Sequence, residues 1–135
     1  MENCKVVFIN GCFDILHRGH IEMFKYAKSL GDYLIVAIDS DSRVKELKGC
    51  SRPINNQSDR MYMLSSIKYV DKVKIFYTEH ELERLVENVS PDIMIVGSDY
   101  ENKRVVGSQH AKDLKFFNRV QGYATTNIIK SIANR

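Results

Sequence analysis

The sequence predicts an α/β fold of the doubly wound kind, a parallel five-stranded sheet with helices on both faces. Three observations carry that expectation. Short apolar runs alternate with segments of helical periodicity along nearly the whole chain. One of the runs, DYLIVAID (Asp32 to Asp39), is apolar on both faces, as a covered parallel sheet requires. Glycine or proline punctuates the runs, at Gly11, Gly31, Pro91 and Gly97.

KVVFING (Lys5 to Gly11) is the first such run. From Gly19 to Leu30, Ile21, Phe24, Ala27 and Met23, Tyr26, Leu30 trace the apolar face of a helix that Gly31 stops. DYLIVAID (Asp32 to Asp39) is a second strand, and the polar stretch from Ser40 to Gln57 reads as a loop. Ser58 is a candidate N-cap for a helix running to Val70, with Met61, Leu64 and Ile67 at helical spacing. KVKIFY (Lys72 to Tyr77) is a strand, and Leu82, Leu85, Val86 and Val89 mark a helix from Glu79 to Val89 that Pro91 ends. DIMIVG (Asp92 to Gly97) is the next strand and LKFFNRV (Leu114 to Val120) a weaker fifth. A short helix closes the series from Thr125 to Ala133.

At 135 residues the chain suits one domain spanning residues 1–135, with a single core. A net charge of +3 without a basic block does not point to nucleic acid. Three cysteines, Cys4, Cys12 and Cys50, with no CxxC pairing suit reduced thiols rather than a disulfide framework. No apolar stretch approaches the ~20 residues of a membrane helix, and the opening residues lack a secretory pattern. A cytoplasmic protein with no membrane partner is the expectation.

The chemistry concentrates in NGCFDILHRGH, Asn10 to His20, where the first strand turns into the first helix. In doubly wound sheets ligands bind beyond the carboxyl ends of the strands. Gly19 permits close backbone approach, the helix N-terminus offers N–H groups and a positive dipole end, and His17 and His20 each offer a ring N–H. These features suit a phosphate. Zinc would need further ligands that no Cys/His/carboxylate cluster supplies. A nucleophilic Cys12 or Ser40 has no visible means of activation, and two plain surface histidines fit the flanking glycine and Asp14 poorly.

GCFDILHRGH resembles the signature of the cytidylyltransferase-like nucleotidyltransferases, His-x-Gly-His after a Gly-x-Phe-Asp turn. KELKGCSRPINNQSDRM resembles that family's lysine-glycine and arginine-bearing segment, GSDY its base-facing turn, and GYATTNIIKSI its C-terminal Gly-x-Ser-Thr-Thr element. Four motifs in the right order cover nearly the whole chain. The resemblance implies a Rossmann-like fold and transfer of a nucleotidyl group from a nucleoside triphosphate to a phosphorylated sugar or polyol. Pyrophosphate leaves, magnesium accompanies the triphosphate, no covalent enzyme intermediate forms, and the assembly is a homodimer.

Carried over residue by residue, the resemblance makes His17, His20 and Lys48 catalytic. Lys48 would bridge the donor and acceptor phosphates, with Lys45 as a helper in binding the acceptor. Asn10, Gly11, Cys12, Phe13, Asp14, Gly19, Arg60, Gly97, Ser98, Asp99, Arg119, Gly122, Tyr123, Thr125 and Thr126 would contact the nucleotide. Asp14 either orients the turn or helps hold the metal. Ala124 departs from the family's common serine and removes one hydroxyl. RPINNQSDRM, GSDY followed by KRVVGS, and TTNIIKSI look most like the heptose 1-phosphate adenylyltransferases, which favours ATP and a sugar phosphate. SIKYVDKV and Arg119 are instead similar to glycerol-3-phosphate cytidylyltransferase. A nucleotide sensor without turnover is a third reading, since a fold alone implies no activity, although a sensor has no need of His17, His20 and Lys48 together.

Overall fold

The apolar runs become strands because each supplies side chains to two covered faces at once. In the computed structural model, which describes residues 4–118 and 124–134, five strands form one parallel sheet. They are β1 (Val6–Gly11), β2 (Tyr33–Asp39), β3 (Lys72–Phe76), β4 (Ile93–Gly97) and β5 (Asp113–Phe117), in the order β3-β2-β1-β4-β5. Val7 and Ile9 of β1, with Leu34, Val36 and Ile38 of β2, pack on one face against Phe24 and Ala27 of helix α1 (Arg18–Ser29) and Leu64 of α3 (Gln57–Ser65). Phe8, Ile35 and Ala37 turn to the other face, against Leu82 and Val86 of α4 (Glu79–Val89). This is the Rossmann-like architecture expected. The chain winds outward from β1 to β3, then returns to place β4 on the far side of β1, so the strand order reverses between β1 and β4.

Three boundaries differ from the sequence reading. The stretch read as a loop contains α2 (Asp41–Lys48), capped by Ser40, whose hydroxyl accepts the Arg43 N–H at 3.2 Å. Val44 is the one buried residue of α2, so an apolar period is not visible there. Helix α3 is capped by Asn56 rather than Ser58, and its last residue is Ser65 rather than Val70; Asn56 accepts the Asp59 N–H at 2.8 Å. Ile67 and Val70 still reach the core, but from a turn after the helix. Strand β5 ends at Phe117, and Val120 lies outside the described residues. The final helix is α5 (Thr125–Ala133). No helix among the described residues is long and apolar enough to cross a membrane.

Candidate functional site

The turn between β1 and α1 is locked by the side chains its sequence provides. Phe13 takes a left-handed backbone conformation with φ of 50°, rare for a bulky residue. Its ring folds back over Gly11, where an added Cβ would come within 2.9 Å of it. The buried ring then meets Phe24 and His20 edge-on, at centroid distances of 5.2 and 5.1 Å. Burial of the ring offsets the strain, and glycine at position 11 makes the fold-back possible.

His17 and His20 form a reciprocal cap on α1. His17 Nδ1 accepts the Gly19 N–H at 3.0 Å, and His20 Nδ1 accepts the His17 N–H at 3.3 Å. The two rings stack at 3.8 Å with 23° between their planes. Because each Nδ1 accepts, hydrogen-bond geometry assigns the ring proton to Nε2, the donor a phosphate oxygen needs. No acidic residue occupies the first turn of α1 to offset its positive end.

Asp14 and Arg60 tie this turn to the segment after β2. Asp14 is 2% exposed, and its two oxygens accept the Ile54 and Asn55 N–H groups at 2.7 and 2.8 Å. The Asn55 side chain returns a bond to the Asp14 carbonyl. Of the two expectations for Asp14, the orienting one holds and the metal ligand does not fit. Its oxygens are taken by backbone donors, and the Arg52 guanidinium lies beside them. Among the described residues no three His, Cys, Asp or Glu side chains stand together as a metal site.

Arg60 requires a correction. It is 1% exposed, and its guanidinium donates to the carbonyls of Cys12, Asp39 and Asn55 and pairs with Asp41 at 2.8 Å. With its acceptors supplied by the fold, it braces the turn from beneath instead of reaching a triphosphate.

Beyond the carboxyl ends of β1 and β4 these elements enclose a cavity of about 280 Å³. Asn10, Gly11, Cys12, Phe13, Asp14, His17, Gly19 and His20 line it from the turn, Lys48 from the end of α2, and Gly97, Asp99, Thr125 and Thr126 from beyond β4. Helix α5 has Ala124 at its N-cap, a residue whose side chain cannot accept the first N–H groups of the helix. The Thr125 hydroxyl donates to the Ile15 carbonyl at 2.9 Å, holding α5 against the β1–α1 turn. Lys45, exposed on α2, and Ser98, which opens a short 3₁₀ turn, are not among the residues that line this cavity. Arg119, Gly122 and Tyr123 lie outside the described residues.

Burial pushes the Cys12 thiol above its ordinary pKa, with the charges of Lys48 and Arg60 opposing. The thiol stays protonated near neutrality and is a poor nucleophile. Tyr100 and Arg52 also line the cavity, and sequence reasoning passed over both. Tyr100 was visible as the last residue of GSDY. Arg52 stood in a stretch read as a loop, and only the contact between Asp14 and residues about 40 positions later brings it to the site.

Comparison with known proteins agrees with this geometry. A sequence model of the family described as cytidylyltransferase-like matches residues 8–132. The bifunctional protein HldE of Aliarcobacter butzleri is 52% identical over 95% of this chain, and that of Helicobacter pylori strain Shi470 is 45% identical over the same share. The chain spans only 27% of the length of either. The crystal structure of the lipopolysaccharide core biosynthesis protein from Thermoplasma volcanium superposes with a TM-score of 0.71 at 29% identity, covering 87% of this chain and 99% of that one. The motifs, the sheet order and these matches agree: the chain belongs to the cytidylyltransferase-like family of nucleotidyltransferases.

Proposed function

We propose that the protein transfers the adenylyl group of ATP to the phosphate of a sugar phosphate of the heptose 1-phosphate class, releasing pyrophosphate. The observation that carries this reading is the convergence of the histidine-capped start of α1, Lys48 and the uncapped start of α5 on one cavity. An acceptor phosphate oxygen attacks the α-phosphorus, forming a new P–O bond. The bond to the β-phosphate bridging oxygen breaks, and pyrophosphate leaves with that electron pair. Negative charge grows on the α-phosphate oxygens and the leaving group, where the Nε2–H donors of His17 and His20 and the ammonium of Lys48 stabilise it. The N–H groups of α5 suit the β- and γ-phosphates. Magnesium would arrive with the triphosphate, held by phosphate oxygens. The protonated Cys12 favours direct transfer over a covalent intermediate.

The sugar-phosphate preference draws on the similarity to the HldE proteins and on the resemblance of RPINNQSDRM and TTNIIKSI to the heptose branch. Pyrophosphate release measured over four triphosphates and a panel of sugar, polyol and choline-type phosphates tests it. ATP with a heptose 1-phosphate should give the highest kcat/KM. Turnover confined to CTP and glycerol 3-phosphate would replace the acceptor assignment. Triphosphate binding without release under any pairing would make the protein a sensor.

A further inference from the structure

Among the described residues, one buried side-chain nitrogen or oxygen has no hydrogen-bond partner, and it is Nη2 of Arg52. The Arg52 side chain is 13% exposed and lines the cavity. Its ion pair with Asp14 is loose, with Nε 3.4 Å from Oδ2, while the same carboxylate takes two backbone N–H groups at 2.7 and 2.8 Å. Asp14 therefore holds the backbone of the Arg52 segment more closely than it satisfies the guanidinium. A buried charged donor without an acceptor destabilises the protein that carries it. Such a group takes its acceptor from outside the chain, from an ordered water or a ligand.

The sheet order indicates which ligand. Lys48 and Arg52 follow β2 and enter from one side of β1, whereas Gly97, Asp99 and Tyr100 follow β4 and enter from the other side. The α5 N-terminus offers N–H groups to the departing end of the triphosphate, and the α-phosphate falls to the histidines. Two cations on the β2 side then remain for the incoming phosphate, and the planar fork of Arg52 matches two of its oxygens. We propose that Arg52 binds the acceptor's phosphate, with Asp14 positioning its segment and Lys48 set between acceptor and donor. The assignment to the acceptor rests on the transfer reaction proposed above.

The test uses Arg52→Met and Arg52→Lys in the full chain, with KM for each substrate, melting temperature, and stabilisation by inorganic phosphate under a saturating nonhydrolysable triphosphate. Arg52→Met should raise the acceptor KM by roughly 10–100-fold, the range of a lost charge-assisted hydrogen bond. It should leave the triphosphate KM within about twofold and abolish stabilisation by phosphate. Arg52→Lys should recover part of the acceptor affinity, having the charge without the fork. A lower melting temperature with an unchanged acceptor KM would make Arg52 a structural tie to Asp14 and overturn the proposal. A rise confined to the triphosphate KM would overturn it equally. If the wild type turns over no acceptor, the transfer reading fails by itself. The phosphate titration then decides: loss of the shift in Arg52→Met retains Arg52 as an anion receptor, and equal shifts remove it.

Discussion

The two ends of the sheet treat their polar groups in opposite ways. At the amino end, Asp32, Asp71 and Asp92 each precede a strand and each clasp a residue of a neighbouring strand or its entry at two points. The aspartate N–H donates to the partner's carbonyl, and the carboxylate accepts the same partner's N–H. The partners are Lys5, Leu34 and Val6, with carboxylate distances of 2.9, 2.8 and 2.8 Å. Lys28 and Lys112 add ion pairs to Asp71 and Asp92. At the carboxyl end, Arg52 keeps a buried nitrogen without a partner, and α5 starts without a side-chain cap. Where the sheet needs only to be held, donors and acceptors are matched within the chain. At the end proposed to bind the substrates, some of that matching is left open.

The largest expected effect tests a place where the carboxyl end is closed. Arg60→Met removes a guanidinium that serves the carbonyls of Cys12, Asp39 and Asn55 and leaves the Asp41 contact unmade. Leaving buried carbonyls without their donor costs about 1–3 kcal/mol each, so urea unfolding should show a much earlier midpoint. A variant of wild-type stability with impaired triphosphate binding would return Arg60 to the role first expected of it.

Next come the groups proposed to act on the phosphates. His17→Ala and His20→Ala should each lose about 10²–10³ in kcat, the effect of one preorganised donor worth roughly 2–4 kcal/mol. A change in KM alone, in steady-state kinetics, would refute stabilisation of the transition state. Each variant also loses half of the α1 cap, which should lower stability by about 1 kcal/mol, so melting curves separate the two losses. Lys48→Ala should reduce single-turnover rates by about 10² while calorimetry with a nonhydrolysable triphosphate shows little change. Lys48→Arg should rescue poorly, because a broad planar fork does not replace a compact ammonium between two phosphates. If Lys48→Ala abolishes triphosphate binding, the bridging role is wrong.

The same contrast separates what the sequence made legible from what it hid. The β1–α1 turn was readable because its contacts are local: Phe13 over Gly11, and His17 with Gly19 and His20, all lie within a few residues. Strands β1, β2 and β4 were readable because burial on both faces leaves an unbroken apolar run. Helix α2 escaped because one buried residue in eight makes no period. The Arg60 brace and the Asp14 latch escaped because they join residues up to 48 and 41 positions apart, and composition says nothing about which distant carbonyl a guanidinium will find. Arg60 also shows the limit of motif reasoning, which identified the residue but not the direction of its side chain. The aspartate clasps left a trace in hindsight, since GDYLIVAI, VDKVKIF and PDIMIVG each place Asp at the strand entry.

The smallest expected effect lies at the closed end, in Asp92→Asn. The Val6 N–H and then Lys112 hold the Asp92 carboxyl below its ordinary pKa, against a smaller opposing influence from desolvation. A carboxyl whose pKa is lower folded than unfolded contributes stability above the unfolded value. That contribution is lost as pH falls through the folded one. Asparagine keeps an oxygen for the Val6 N–H but has no charge to titrate. The variant should therefore be slightly less stable than the wild type near neutrality, by a margin that narrows below about pH 4 and closes once Asp92 is protonated. Thermal melts of both proteins from about pH 7 to pH 2 read this difference directly. Since Asp92 stands at the opposite end of β4 from Gly97, kcat and both KM values should match the wild type across the pH range where both are folded. A stability gap that persists under acid would assign the effect to clasp geometry rather than to charge. A change in kcat would mean that the two ends of the sheet are coupled, and the division between a closed end and an open one would then fail.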